Sequence, residues 1–531
     1  KRTIYVQLSL SNFINILNIK QFKLILLIEG LLVGIFGGLV IVGYRICLTN
    51  GAMWLQQILT YCKQSIITII LWFIALISIA YIVSKLLNKE PLISGSGIPQ
   101  LEGELAGKID AKWWRVLINK FTGGFLTNFC GLALGREGPS IQLGAMVGKG
   151  IGKIFKRGKT EERYLLTCGA SAGLAAAFHA PLAGVMFALE EVHKHFSAPL
   201  LISVMASSVA SDYVMSNILG MDPVFSFNLT GVLPQKYYWM VLVLGIILGL
   251  AGAFYNKALL YIQNLYNRNK QISTFNKLLI PFIISGILGF TIPELLGSGD
   301  NLVDLLTEGK LTTLMITFLL AGKFIFAITC FGSGAPGGIF FPLLVIGCLI
   351  GGLFSNYATS NLNLEPAYIN NFILLAMAGF FTAIVRAPVT GIILIFEMTG
   401  SLNHLLSITT VTIVSYVVAD LVKAKPIYES LLENLLKKRN FPTPKGVGEK
   451  VLLDFMINTD SYLDNRLIKE VTWPTHCLIV SLRRDGQEFI PHGETYLKAS
   501  DIIIIMCDKA NESYVYDTIS TLTTKQYKHN Y

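Results

Sequence analysis

The sequence predicts an all-α polytopic membrane protein with two related halves and a small soluble α/β domain at its C-terminal end. Three observations predict it. The 531 residues are 53% hydrophobic and only 14% charged, with a mean hydropathy of +0.58. A soluble chain carries about a quarter charged residues, so most of this one is solvated by lipid or by itself. Apolar runs recur between Phe22 and Val422, and stretches of that region repeat each other. Beyond Tyr428 the composition turns charged, then Pro/Gly-rich, and short β-rich runs follow.

The apolar runs lie at 24–43, 66–87, 199–219, 237–261, 277–292, 312–331, 342–358, 371–385 and 405–422. Several reach the roughly 20 residues that a helix needs to cross a hydrocarbon core. Others, at 131–147, 172–190 and 378–398, are broken by Gly or Pro. Irregular backbone cannot face lipid, so these pieces are expected inside protein or along a wet cavity. No signal peptide is evident. Residues 1–21 read as a mildly amphipathic segment, and Lys1, Arg2, Lys20 and Lys23 beside the first run predict a cytoplasmic N terminus. The net charge of +10 is scattered over juxtamembrane loops such as Lys149–Arg163, which speaks against a nucleic-acid partner. The eight cysteines form no C-x-x-C, and His193 and His195, two apart, share no helix face. No metal or cofactor is expected, and no nucleophile–base pair suggests an enzyme.

The repeat has a constant register. "GLALGREGPSIQLGAMVG" (131–148) and "GAPGGIFFPLLVIGCLIG" (334–351) each follow a Lys-Phe pair. Lys120, Gly131, Gly135, Pro139, Gly144 and Gly148 fall on Lys323, Gly334, Gly338, Pro342, Gly347 and Gly351. Further on, "AGLAAAFHAPLAGVMFALEE" (172–191) matches "AGFFTAIVRAPVTGIILIFEM" (378–398) through Ala-Pro-x-x-Gly and a closing Glu. Paired Gly/Pro-interrupted segments in two halves mark carriers whose site lies between the repeats. Glu137 falls on Phe340, so the acid is not a requirement of the scaffold.

Three glycine-rich turns share one design: "GSGIP" (95–99), "GREGP" (135–139) and "GGIFFP" (337–342). Each places Gly where the chain turns tightly, then Pro near the first turn of a helix. One such turn is a helix kink. Three, two of them related by the repeat, predict helix N termini gathered into an anion site. Dipoles suit transport, because a full cation in low dielectric would hold a halide too tightly to release it.

GSGIP, GREGP and GxFxP in this order, over residues 22–430, resemble the CLC family of chloride channels and proton/chloride exchangers. The resemblance implies two inverted-repeat halves (about 22–219 and 237–424) with tilted and re-entrant helices. It also implies a homodimer whose subunits each hold a pore. Matching its motifs gives Ser96, Tyr428 and the N–H groups of Ile339 and Phe340 at the central anion. It gives Glu137 as gate and proton carrier, Glu191 as the internal proton acceptor, and Arg136 and Lys120 as electrostatic support. Gln100 stands where family members often carry Glu. The implied function is exchange of chloride for protons in a bacterial plasma membrane; the alternative is a passive chloride channel gated by Glu137. Glu191 favours exchange, since passive members typically carry an apolar residue there, and Ser96 favours chloride. Glu190 is expected to be a solvated helix-end acid and Glu397, set opposite Glu191 by the repeat, a structural one.

A receptor whose helices only signal remains a third reading, and a potassium channel is opposed by the lack of a T-x-G-Y-G filter. The segment 431–450 reads as a linker and 451–531 as a soluble cytoplasmic domain. Its strands are expected at "HCLIVSL", "EFI" and "DIIIIMC", with an Arg-Asp-Gly turn, and its helix at "NESYVYDTISTL". "RRDGQEFIPHGETYLKASDIIII" (483–505) resembles the C-terminal subdomain of RCK proteins. That resemblance implies a dimerising module and a small regulatory ligand such as cyclic di-AMP.

Overall fold

A computed structural model describes residues 2–194, 196–221, 229, 231–268, 272–400, 402–438, 450–459, 461–475, 477–484, 487–508 and 511–524, with side chains from Leu24 onward except those of Leu402, Lys438 and Ser513. The side chains of the 1–21 segment, His195, the Asp485–Gly486 turn and residues 439–449 of the expected linker therefore lie outside the described residues. The chain forms two compact units, Lys1–Leu435 and Leu436–Tyr531.

The first unit is helical. Eight described helices are long and apolar enough to cross a membrane: Leu24–Cys62, Ile66–Lys89, Ala198–Leu219, Gln235–Arg268, Thr274–Thr291, Thr313–Gly332, Phe340–Asn361 and Pro366–Val385. The first outruns its apolar stretch because residues 44–62 contain no proline, and Gly51 lets Phe125 pack closely on it. Shorter helices, Ile98–Leu105, Pro181–Phe187, Asp300–Thr307 and Pro388–Thr399, have at most 12 residues. At about 1.5 Å per residue none bridges a core of about 30 Å, so they end inside the protein.

Small residues bring the buried helices together. The Glu137–Ile154 helix packs on the Lys159–Phe178 helix with Gly144 against the Gly169 carbonyl and Gly148 against the Leu165 carbonyl, too close for any Cβ. The second half repeats this with Gly347 on Ala376 and Gly351 on Ile373.

The halves also exchange equivalent contacts. Gly135 N–H donates to Gly338 O at 2.7 Å, and Gly338 N–H returns to Gly135 O at 2.8 Å. Glu190 accepts the Val389 and Thr390 N–H groups at 3.1 and 2.7 Å, at the start of the Pro388–Thr399 helix. Glu397 accepts the Leu182 and Ala183 N–H groups at 2.9 and 2.7 Å, at the start of the Pro181–Phe187 helix. Contacts traded this way define a two-fold relation, which gives inverted repeats when the axis lies in the membrane plane. Two expectations are corrected here. Glu190 is not a solvated acid but a helix cap. Glu397 stands opposite Glu190 rather than Glu191, because Pro181 and Pro388 set the register of the second block.

The second unit carries a four-stranded antiparallel sheet in the order Lys450–Met456, Ile502–Asp508, Cys477–Arg484, Gln487–Phe489. The Glu512–Thr524 helix supplies Val515 and Ile519 to a core with Phe455, Leu482, Ile503 and Ile505. Within 431–450, residues up to Lys438 continue the Ile427–Lys438 helix rather than a linker. Its amphipathic "LLENLL" outweighs the flanking charges.

Candidate functional site

The first turn is shaped by glycine. Gly95 and Gly97 take φ of 62° and 94°, a left-handed backbone that excludes most side chains. Helix Ile98–Leu105 then begins, with Pro99 in its first turn. Ser96 is buried and its Oγ accepts the Ile98 N–H at 3.3 Å. Lys120, fully buried, donates to Ile93 O and Gly95 O at 2.9 and 2.6 Å. It clamps this turn through carbonyls. Gly337 N–H donates to Gly95 O at 3.0 Å, and a Cβ on Gly138 would lie 2.8 Å from Ser96 Cβ. The three glycine turns are thus one knot, brought together from residues some 200 positions apart.

Glu137 is the first residue of its helix and 0% exposed. Neither carboxylate oxygen has a hydrogen-bond partner of good geometry. Arg136 Nε, buried, forms an ion pair with Oε1 at 3.8 Å, too long for a hydrogen bond. A methyl on Gly135 would collide with Glu137 Oε2 and sit 3.2 Å from the Phe341 nitrogen. The carboxylate therefore lies between the starts of two helices, its own and Phe340–Asn361. A buried carboxylate is costly, and the N–H groups and dipoles of the two helix starts offset part of that cost.

Ile339 caps the Phe340–Asn361 helix, and both Ile339 and Phe340 are buried. The Phe340 ring is enclosed by Phe381, Phe178 and Phe187, with centroids 4.5, 5.1 and 6.0 Å away. Tyr428 stands in the first turn of the Ile427–Lys438 helix, fully buried, its Oη without a hydrogen bond. Its electrostatic neighbours include Glu191, Glu102 and Glu137. The phenol therefore belongs with both acids.

Glu191 lies in a π-helical turn, Ala188–His193, buried and with Oε1 unpartnered. The wide turn sends Glu190 to cap the neighbouring helix and leaves Glu191 facing inward. Its charge neighbours are Glu102, Lys194, Glu429 and Glu190, and Lys194 pairs with Glu429 at 2.9 Å. Glu102, buried with Oε1 unpaired, is a functional candidate that sequence reasoning missed. The available signal was its place on the short helix that opens at Ser96. Among the described residues no group of three His, Cys, Asp or Glu could hold a metal ion.

Broken helices of two related halves, meeting end to end around a buried acid, define a membrane transport protein. Residues 79–420 match the family model described as voltage gated chloride channel, and residues 452–520 match that of the TrkA-C domain. The chain is 37% identical over 358 residues to the H(+)/Cl(-) exchange transporter ClcA of Vibrio cholerae, covering 66% of this chain and 76% of the relative. It is 35% identical over 380 residues to the protein of the same name from Vibrio campbellii, covering 69% and 81%. Among solved structures, a slow cyanobacterial Cl-/H+ antiporter superposes with a TM-score of 0.74 at 32% identity, over 78% of this chain and 99% of that one. A CLC-type fluoride/proton antiporter shares the fold, with a TM-score of 0.61 at 22% identity over 76% and 96%. The chain belongs to the voltage-gated chloride channel family and is an integral membrane protein with a TrkA-C domain behind its transport unit.

Proposed function

We propose that this protein exchanges chloride for protons, with Glu137 as both gate and proton carrier. The observation that carries this reading is the Glu137 carboxylate, wholly buried between the starts of two helices, whose Glu137 and Phe341 N–H groups face it. Ionised, it takes the helix-end N–H groups that would receive a chloride; protonated, it loses that attraction and yields the seat. Ser96 Oγ, Tyr428 Oη and the N–H groups of Ile339 and Phe340 complete the anion seat with dipoles, so the halide can leave again. Arg136 shapes the field, and Lys120 acts by holding the Ser96 turn. Glu191 receives the proton within the protein, beside Glu102. A passive channel has no use for that internal acid, and the names of the relatives favour exchange.

Two copies form a homodimer, each with its own pathway, in a bacterial plasma membrane with both termini cytoplasmic. The protein needs no cofactor and is not an enzyme. The C-terminal domain dimerises and binds a small regulatory ligand of the cyclic di-AMP kind. The test is purified protein in liposomes: an imposed chloride gradient drives protons uphill in the wild type. Chloride flux with no proton movement would leave the passive channel.

A further inference from the structure

The first anion turn has a copy in the second half that the motifs did not reveal. Gly297-Ser298-Gly299 repeats Gly95-Ser96-Gly97, with φ of 62° and 102° at its glycines. It is clamped in the same way, by Lys323 donating to Leu295 O and Gly297 O at 3.1 and 2.7 Å. The residue that follows differs in kind. Where the first half has Ile98, the second has Asp300, which opens the Asp300–Thr307 helix and receives the Ser298 hydroxyl. This turn is tied to the gate: Gly297 N–H donates to Gly131 O at 2.9 Å, in the segment leading to Arg136 and Glu137.

A second charge comes from the first helix of the fold. Arg45 is half-buried, and its Nη1 donates to Ala176 O at 2.9 Å. It follows Tyr44, whose ring is fully buried against Phe121 of the Trp113–Phe129 helix, with centroids 5.1 Å apart. Arg45 interacts electrostatically with Arg136, Asp300, Glu137 and Asp212, and Glu137 with Arg136 and Asp300. Glu137 interacts electrostatically with Arg136 on its own element, with Tyr44 and Arg45 from the first helix, with Asp300 from the second-half turn, and with Tyr428. Asp300 also interacts electrostatically with Lys323, and Arg45 with Asp212, which is bonded to His179 at 2.7 Å.

We propose that Arg45 and Asp300 are positioning residues of the exchange reaction, two charges of opposite sign that set how readily Glu137 takes up its proton. Asp300 favours the protonated acid, which frees the anion seat. Arg45 favours the ionised acid, which occupies it. The inference rests on the exchange reading, and neither residue touches the anion.

Chloride flux into liposomes, measured at equal pH on both sides, gives the pH of half-maximal transport. Asp300→Asn moves it to lower pH and Arg45→Gln to higher pH, each by about half a unit, as single charges acting through a partly polar interior do. Asp300→Ser, which keeps a side-chain oxygen for the Ser298 hydroxyl without the charge, reproduces the downward shift. Asp300→Glu and Arg45→Lys keep the wild-type midpoint. Unchanged midpoints in both neutral variants, or shifts in the same direction, overturn the proposal while leaving exchange intact. A pH response that persists in Glu137→Gln overturns the exchange reading and this inference with it.

Discussion

Glu137→Gln keeps the side-chain volume and removes the charge. It is expected to retain chloride flux, lose the pH response and abolish coupled proton movement, as read by isotopic chloride flux with simultaneous pH recording. Glu191→Gln separates the two acids: chloride flux keeps its pH response, because Glu137 is intact, but protons no longer cross. Lys120→Met leaves the Ile93 carbonyl without its donor and takes one of two donors from the Gly95 carbonyl, which keeps the Gly337 N–H. At roughly 1–3 kcal/mol for a carbonyl left without its donor, it lowers the thermal unfolding temperature of the detergent-solubilised protein far more than Lys120→Arg does. Glu137 was legible in the sequence because its repeat partner is Phe340, which exposes the acid as an addition to the scaffold. Glu102 and Asp300 were not. Glu102 owes its burial to enclosure of a short helix that has no periodic signature, and Asp300 follows a turn that lacks the proline cue of GSGIP.

Among the elements, the exchange of caps between the Pro181–Phe187 and Pro388–Thr399 helices binds the halves at two symmetric points. Each carboxylate satisfies two helix-start N–H groups that have no partner within their own helix. Glu190→Leu and Glu397→Leu are each expected to destabilise the transport unit by about 0.5–2 kcal/mol, the cost of a lost cap, seen as lower unfolding temperatures. The glycine and proline spacing gave away the paired broken helices. The π turn at Ala188–His193 was hidden, because six residues carry too little period to distinguish it from an α-helical end. That ambiguity is also why the separation of Glu191 from Glu190 came from the family resemblance rather than from the local pattern, and why Glu190 was not recognised as a cap.

For the whole molecule, the separation into Lys1–Leu435 and Leu436–Tyr531 predicts that a chain ending after Lys438 still exchanges chloride for protons and loses only its response to the regulatory ligand. Flux assays with and without cyclic di-AMP, on full-length and shortened protein, check this. The soluble unit was legible from its turn residues and from the run Ile502–Asp508. The edge strand Lys450–Met456 escaped notice, since its inward Val451, Leu453 and Phe455 follow a charged, Gly-rich stretch that reads as linker.

All of this depends on one competition, between the Glu137 carboxylate and a halide for the same helix-end groups. Calorimetric titration of chloride into the purified protein, in buffers of different ionisation enthalpy, counts the protons bound along with the anion. The wild type is predicted to take up protons on binding chloride, with affinity rising as pH falls, and Glu137→Gln to take up none. Proton-free binding in the wild type, or equal uptake in the variant, would contradict it.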